Sequence, residues 1–134
     1  MIIKEIKGDI FQSEDKHIVF ALNTEGYNDS GFAGAVCRKG FKEIANTGGN
    51  TLGTMLSKKI GEKTYYGIVC HSLHDGWNDA AKIILRALDE LPTTDNISAV
   101  LMGSSLVGLL SNVPVEEIYK AFEKSKKNIS VYSF

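Results

Sequence analysis

The fold is decided by one stretch of sequence. His17-Ile18-Val19-Phe20-Ala21-Leu22 is followed by Asn23-Thr24-Glu25-Gly26-Tyr27-Asn28-Asp29-Ser30-Gly31-Phe32-Ala33-Gly34-Ala35-Val36. The first six residues form a short apolar run of the kind found in a buried strand. The glycine-rich run leads into a helix expected to start near Phe32 or Ala33. Glycines at such a junction let backbone N–H groups approach an anion, and the helix dipole adds positive potential there. The turn therefore points to a phosphate-bearing ligand. The alternative is an ordinary strand-to-helix turn.

Outward from this stretch the chain alternates strands and helices. Ile2 to Ile6 and Ile97 to Met102 read as strands, and Leu52–Ile60 with Lys63–Val69 as a hairpin around Gly61-Glu62. A short amphipathic helix is expected from Gly34 to Ile44, with Val36, Phe41 and Ile44 inward. Trp77 to Leu91 places Ala80, Ile83, Ile84, Ala87, Leu88 and Leu91 on one helical stripe, and Pro92 stops it. Pro114 to Lys126 reads as the last helix, with Glu116 and Glu117 near its positive end, and Asn128 to Phe134 as the last strand. This order predicts a three-layer α/β/α domain with a mixed, largely parallel sheet. Ligands of such sheets bind beyond the C-terminal strand ends. Asp9, Asn23, Cys70-His71 and Gly103 all fall just past such ends.

A chain of 134 residues is expected to make a single domain, 1–134. Its 15 basic and 16 acidic residues leave a net charge of -1, which argues against nucleic acid as the primary partner. No apolar run reaches the roughly 18 residues a membrane span needs. No signal peptide is visible at the N-terminus, and the two cysteines, Cys37 and Cys70, lack metal-ligand spacing. A cytoplasmic protein with reduced thiols is the expectation, a disulfide the alternative. No metal or cofactor is expected, and no Gly-x-x-x-x-Gly-Lys-Ser/Thr run supports an ATPase.

Three segments, taken together, resemble the macrodomain, a module that binds ADP-ribose. They are Gly8-Asp9-Ile10 after the first strand, Asn23 with Ser30-Gly31-Phe32-Ala33-Gly34-Ala35-Val36, and Gly103-Ser104-Ser105-Leu106-Val107-Gly108 after a late strand. The ending Ile129 to Phe134 resembles the small subgroup of terminal ADP-ribose protein glycohydrolases. The resemblance covers nearly the whole chain in order, and it implies a macrodomain-like fold and a ligand such as ADP-ribose or a related NAD-derived nucleotide, free or protein-linked.

The resemblance also implies roles. Asp9 would accept a hydrogen bond from the adenine amino group, with Ile10 beside the ring; the alternative is a turn aspartate capping backbone N–H groups. Asn23 would contact the distal ribose, since an amide both donates and accepts; the alternative is a local Asx-turn. Gly31, Phe32, Ala33, Gly34, Ala35 and Val36 would flank the diphosphate on one side. Gly103, Ser104, Ser105, Leu106, Val107 and Gly108 would flank it on the other. Tyr132 or Phe134 would pack against adenine, or else sit at the edge of the core.

The catalytic residues of the related hydrolases are missing from the matching positions. Cys70 stands where one group has its lysine, Val107 where that group has its aspartate, and Ala33 where another group has an aspartate. A lysine Schiff-base route is therefore closed. Asn23 and His71 remain the catalytic candidates, holding water or moving a proton, with His74 as a further acid or base. Cys70 and His71, as sequence neighbours on a strand, are expected to point to opposite faces and form no dyad. Glu25 and Asp29 are candidates for binding the distal ribose or positioning water; the alternative is a pair of ordinary exposed loop acids. His71-Ser72-Leu73-His74-Asp75-Gly76-Trp77 reads either as a lid with Trp77 stacking on a ligand, or as a loop with Trp77 anchored in the core. Binding of ADP-ribose is the leading function. Removal of ADP-ribose from proteins, or of phosphate from ADP-ribose phosphate, is the alternative.

Overall fold

The computed structural model of the protein describes residues 1–26, 31–42, 49–101 and 113–133. Among these residues six strands form one sheet: β1 (Ile2–Lys7), β2 (His17–Asn23), β3 (Met55–Ile60), β4 (Lys63–His71), β5 (Ile97–Val100) and β6 (Ile129–Ser133). Their spatial order is β1-β6-β5-β2-β4-β3. All neighbours run parallel except β3, which pairs antiparallel with β4 across the Gly61-Glu62 hairpin. The mixed, largely parallel sheet expected from the sequence is thus present.

Period-two alternation along the inner strands sorts their side chains into two cores, one on each face. Val19, Tyr66, Ile68, Cys70, Ile97, Ala99, Ile129 and Val131 face one way. They meet α2 (Ala80–Asp89) and α3 (Val115–Lys124) through Ala80, Ile84, Ala87, Leu88, Ile118 and Phe122. Ile18, Phe20, Leu22, Tyr65, Val69, Val100 and Tyr132 face the other way. There they meet α1 (Gly31–Lys39) through Val36 and Cys37, with Ile10 and Phe41 alongside. The arrangement is three-layered, α1 over one face and the α2–α3 pair over the other.

Element bounds differ from the sequence reading mainly at the ends. Helix α1 begins at Gly31, earlier than expected, and ends at Lys39; Phe41 is buried beyond it. Ile44 lies outside the described residues. Strand β3 begins at Met55 rather than Leu52. Helix α2 begins at Ala80 rather than Trp77 because residues 72–76 close on themselves through a bridge between Ser72 and Gly76. A feature the sequence reading lacked is a short 3-10 turn, Ile10–Gln12, directly after β1.

That turn is pinned from below by a buried polar group. Ser98, fully buried on β5, donates to Asp15 Oδ2 at 2.8 Å and contacts Ser13 Oγ at 2.7 Å, while Ser13 Oγ accepts from the Asp15 N–H at 3.0 Å. Lys63 Nζ donates to the carbonyls of Ser13 and Asp15. A buried hydroxyl needs such partners. Here they tie the loop between β1 and β2 to the middle of the sheet.

At Gly67 of β4 the side chains of β2 fill the space that a Cβ would need. A Cβ there would lie 2.4 Å from Leu22 Cδ1, 2.9 Å from Leu22 Cγ and 3.2 Å from Phe20 Cζ. Both neighbours are themselves buried, so overpacking outweighs any gain in chain stiffness. Gly67→Ala is expected to cost about 1–3 kcal/mol, read as a lower urea midpoint; an unchanged midpoint would refute this packing.

Candidate functional site

The parallel register brings the ends of β1, β6, β5, β2 and β4 to one edge of the sheet. Asp9, Asn23 and His71 stand at that edge, and Leu101 follows β5 there. Asp9 begins the 3-10 turn, and its Oδ1 accepts from the Phe11 N–H at 2.9 Å. Its carboxylate is exposed, whereas Ile10 turns into the core. Phe11 stacks on Phe32 of α1, with ring centroids 5.0 Å apart at 21°, and Lys39 Nζ lies 4.4 Å from the Phe11 ring centroid. Phe32 also meets Phe20 edge-on at 5.6 Å. This aromatic contact joins the turn that carries Asp9 to the first turn of α1.

Asn23 is buried, 6% exposed, and its Oδ1 accepts from the Gly26 N–H at 2.9 Å. The amide therefore shapes the start of the glycine-rich turn, as the Asx-turn alternative has it. Gly31 opens α1 with φ of 61°, a left-handed conformation that suits glycine, and a Cβ there would meet nothing within 4 Å. Gly34 and Val36 are buried, while Phe32, Ala33 and Ala35 are half-buried. Gly103, Ser104, Ser105, Leu106, Val107, Gly108, Asp29 and Phe134 lie outside the described residues. Tyr132 is buried in the core beneath α1.

Next to Asn23, strand β4 carries a bulge that sequence periodicity did not foretell. Leu22 pairs with Val69 but Asn23 pairs with His71, leaving Cys70 as the extra residue. A bulge breaks strict alternation and re-aims the side chains around it. The expectation that Cys70 and His71 point apart is therefore corrected: Cys70 Sγ lies 3.7 Å from His71 Nδ1. The pair is still unlike a nucleophilic dyad. Burial pushes the Cys70 thiol up to about 12, and burial lowers His71 to about 4, against an opposing pull from the Glu25 carboxylate. Both groups are neutral near pH 7, whereas an activated cysteine needs a thiolate.

His71 lies flat on Trp77, with centroids 3.8 Å apart and planes at 6°. Trp77 also packs against the core beneath α2, so its anchoring role is the one realised. The loop between them is closed by paired Ser72 and Gly76 backbone hydrogen bonds of 3.1 and 2.9 Å, and by the Asp75 N–H donating to Ser72 Oγ at 2.7 Å. Glu25 joins it to the glycine-rich turn by accepting from the Leu73 N–H at 3.0 Å, a bond that holds its carboxyl below the usual range. Thr24 N–H donates to the His71 carbonyl at 3.1 Å. Leu73 at the loop tip is 62% exposed. Among the described residues no group of three His, Cys, Asp or Glu side chains is placed to hold a metal ion, and no helix is long and apolar enough to cross a membrane. Cys37 and Cys70 are both buried and form no disulfide with each other.

These features define a class: a three-layer α/β protein whose parallel strands end at one loop-lined edge, with a helix starting at that edge. No family model matches the sequence, and no curated protein matches it. Solved structures do. The macrodomain of Mycobacterium tuberculosis DarG is 16% identical, with all of this chain covering 98% of that one at a TM-score of 0.71. The Thermus aquaticus DarG macrodomain is 15% identical over 100% of this chain and 98% of that one, TM-score 0.69. A macrodomain protein from Streptomyces coelicolor is 14% identical over 100% and 99%, TM-score 0.69. The chain has the macrodomain fold from end to end.

The neutral state of His71 sets a pH dependence. Unfolded, it protonates near 6.5; folded, it stays neutral until about 4. Between these values the unfolded chain binds the extra proton, so stability falls as pH drops through the window, by on the order of 2 kcal/mol. Urea unfolding at pH 7 and pH 4.5 should show this loss in the wild type and a smaller one in His71→Asn; equal losses would contradict the assignment.

Proposed function

We propose that this protein binds ADP-ribose or a closely related NAD-derived nucleotide, free or attached to protein. One observation carries the reading: an end-to-end macrodomain fold whose Asp9, Asn23 and α1 start all follow the ends of parallel strands at one edge. In this reading the exposed Asp9 carboxylate takes the adenine amino group. The N–H groups opening α1 take the diphosphate, favoured by the helix dipole. Residues 103–108, which lie outside the described residues, are assigned to the other flank of the diphosphate, and Asn23 to the distal ribose.

Binding without turnover is the form the site chemistry favours. The two groups nearest to nucleophile and base, Cys70 and His71, are both held neutral by burial. Incubation with mono-ADP-ribosylated protein is expected to give retention without release; steady release that is lost in Asn23→Ala would make the protein a hydrolase instead.

Calorimetry with ADP-ribose should give a saturable heat, and none at millimolar ligand would end the reading. Gly31→Asp tests the helix terminus separately. The site has open space for a side chain, aspartate tolerates a left-handed φ, and a carboxylate suits a helix start. The fold should therefore survive, while repulsion of the diphosphate weakens binding by about tenfold or more. Unchanged affinity would refute the placement.

A further inference from the structure

We propose that His71 is a hydrogen-bond donor of fixed tautomer to the ribose distal to adenine, a binding residue and not an acid or base. The proposal rests on the ADP-ribose reading above and adds a contact to it. Three observations converge. The bulge at Cys70 sets His71 in register with Asn23, the residue given the distal ribose. The ring is immobilised by its flat stack on Trp77. Its Nδ1 lies 3.7 Å from the Cys70 thiol, while among the described residues Nε2 makes no hydrogen bond.

The thiol decides which nitrogen holds the proton. Sulfur is a weak acceptor, an unprotonated imidazole nitrogen a good one, so the neutral Cys70 S–H donates to Nδ1 and the proton of His71 stays on Nε2. A neutral ring held in this way presents one N–H and has no proton to give up near pH 7. That suits a sugar hydroxyl oxygen. Trp77 and the Glu25–Leu73 bond fix the ring and its loop before any ligand arrives, so little ordering is left to oppose binding.

Two measurements test this. Nitrogen-15 spectra of the histidine rings at pH 7 should show His71 protonated on Nε2 in the wild type, and a mixture of tautomers in Cys70→Ala. Calorimetry should then compare ADP-ribose with ADP, which lacks the distal ribose. His71→Ala is expected to weaken ADP-ribose by about tenfold and leave ADP unchanged, while His71→Gln, which keeps an N–H at similar reach, recovers most of the loss. Equal weakening of both ligands, no weakening of either, or a wild-type ring protonated on Nδ1 would overturn the proposal and leave the ADP-ribose reading standing. A wild type that binds neither ligand would bring down both.

Discussion

Strand β2 is the constraint on which the rest depends. It lies between β5 and β4, parallel to both, and its side chains enter both cores. A strand so placed has no solvent side, and its amides must all find partners within the sheet or at its ends. Its direction sets the direction of its neighbours. That direction puts Asn23, His71 and the start of α1 at one edge. Shifting β2 by one residue would exchange the two cores and move every one of these groups.

Where β2 ends, the regular ladder ends with it. The extra residue on β4 is absorbed at Cys70, and two consequences follow from that single irregularity. Cys70 and His71 come into contact, and His71 is delivered beside Asn23. The surrounding bonds, from Thr24 to His71 and from Leu73 to Glu25, then knit the glycine-rich turn to the loop that precedes α2. The edge is therefore one connected unit, with the neutral imidazole between the turn and the tryptophan. Beside Asp9 the Phe11–Phe32 stack does the corresponding work, linking the 3-10 turn after β1 to α1.

Neutrality marks the Cys70–His71 pair at this edge. Burial raises the thiol and lowers the imidazole, each away from the charged form a nucleophile–base pair would use. What remains is a set of hydrogen-bond donors and acceptors: an exposed Asp9 carboxylate, the backbone at the start of α1, and an amide and imidazole side by side. Such groups suit the recognition of a polar ligand proposed above. The Asp9 and Asn23 carboxyl and amide oxygens also hold local backbone N–H groups. These are the turn-shaping roles that stood as alternatives in the sequence, and they fix the very loops that carry the two residues.

The order of strands and helices, the two faces of each inner strand and the stripe on α2 were legible in the sequence, because apolar periodicity is a local property that burial merely reads out. So was the convergence of Asp9, Asn23 and His71 on one edge, since parallel strands separated by helices admit few other arrangements. The 3-10 turn at Ile10–Gln12 was not legible, because the Ser13–Asp15–Ser98 group that pins it joins residues some 83 positions apart. Nor was the bulge at Cys70: whether a strand inserts a residue depends on the register of its partner, and alternation along one strand carries no trace of that. The contact between Cys70 and His71, and the neutrality of both, were decided by tertiary structure alone, since only the packed sheet determines how much water reaches each group.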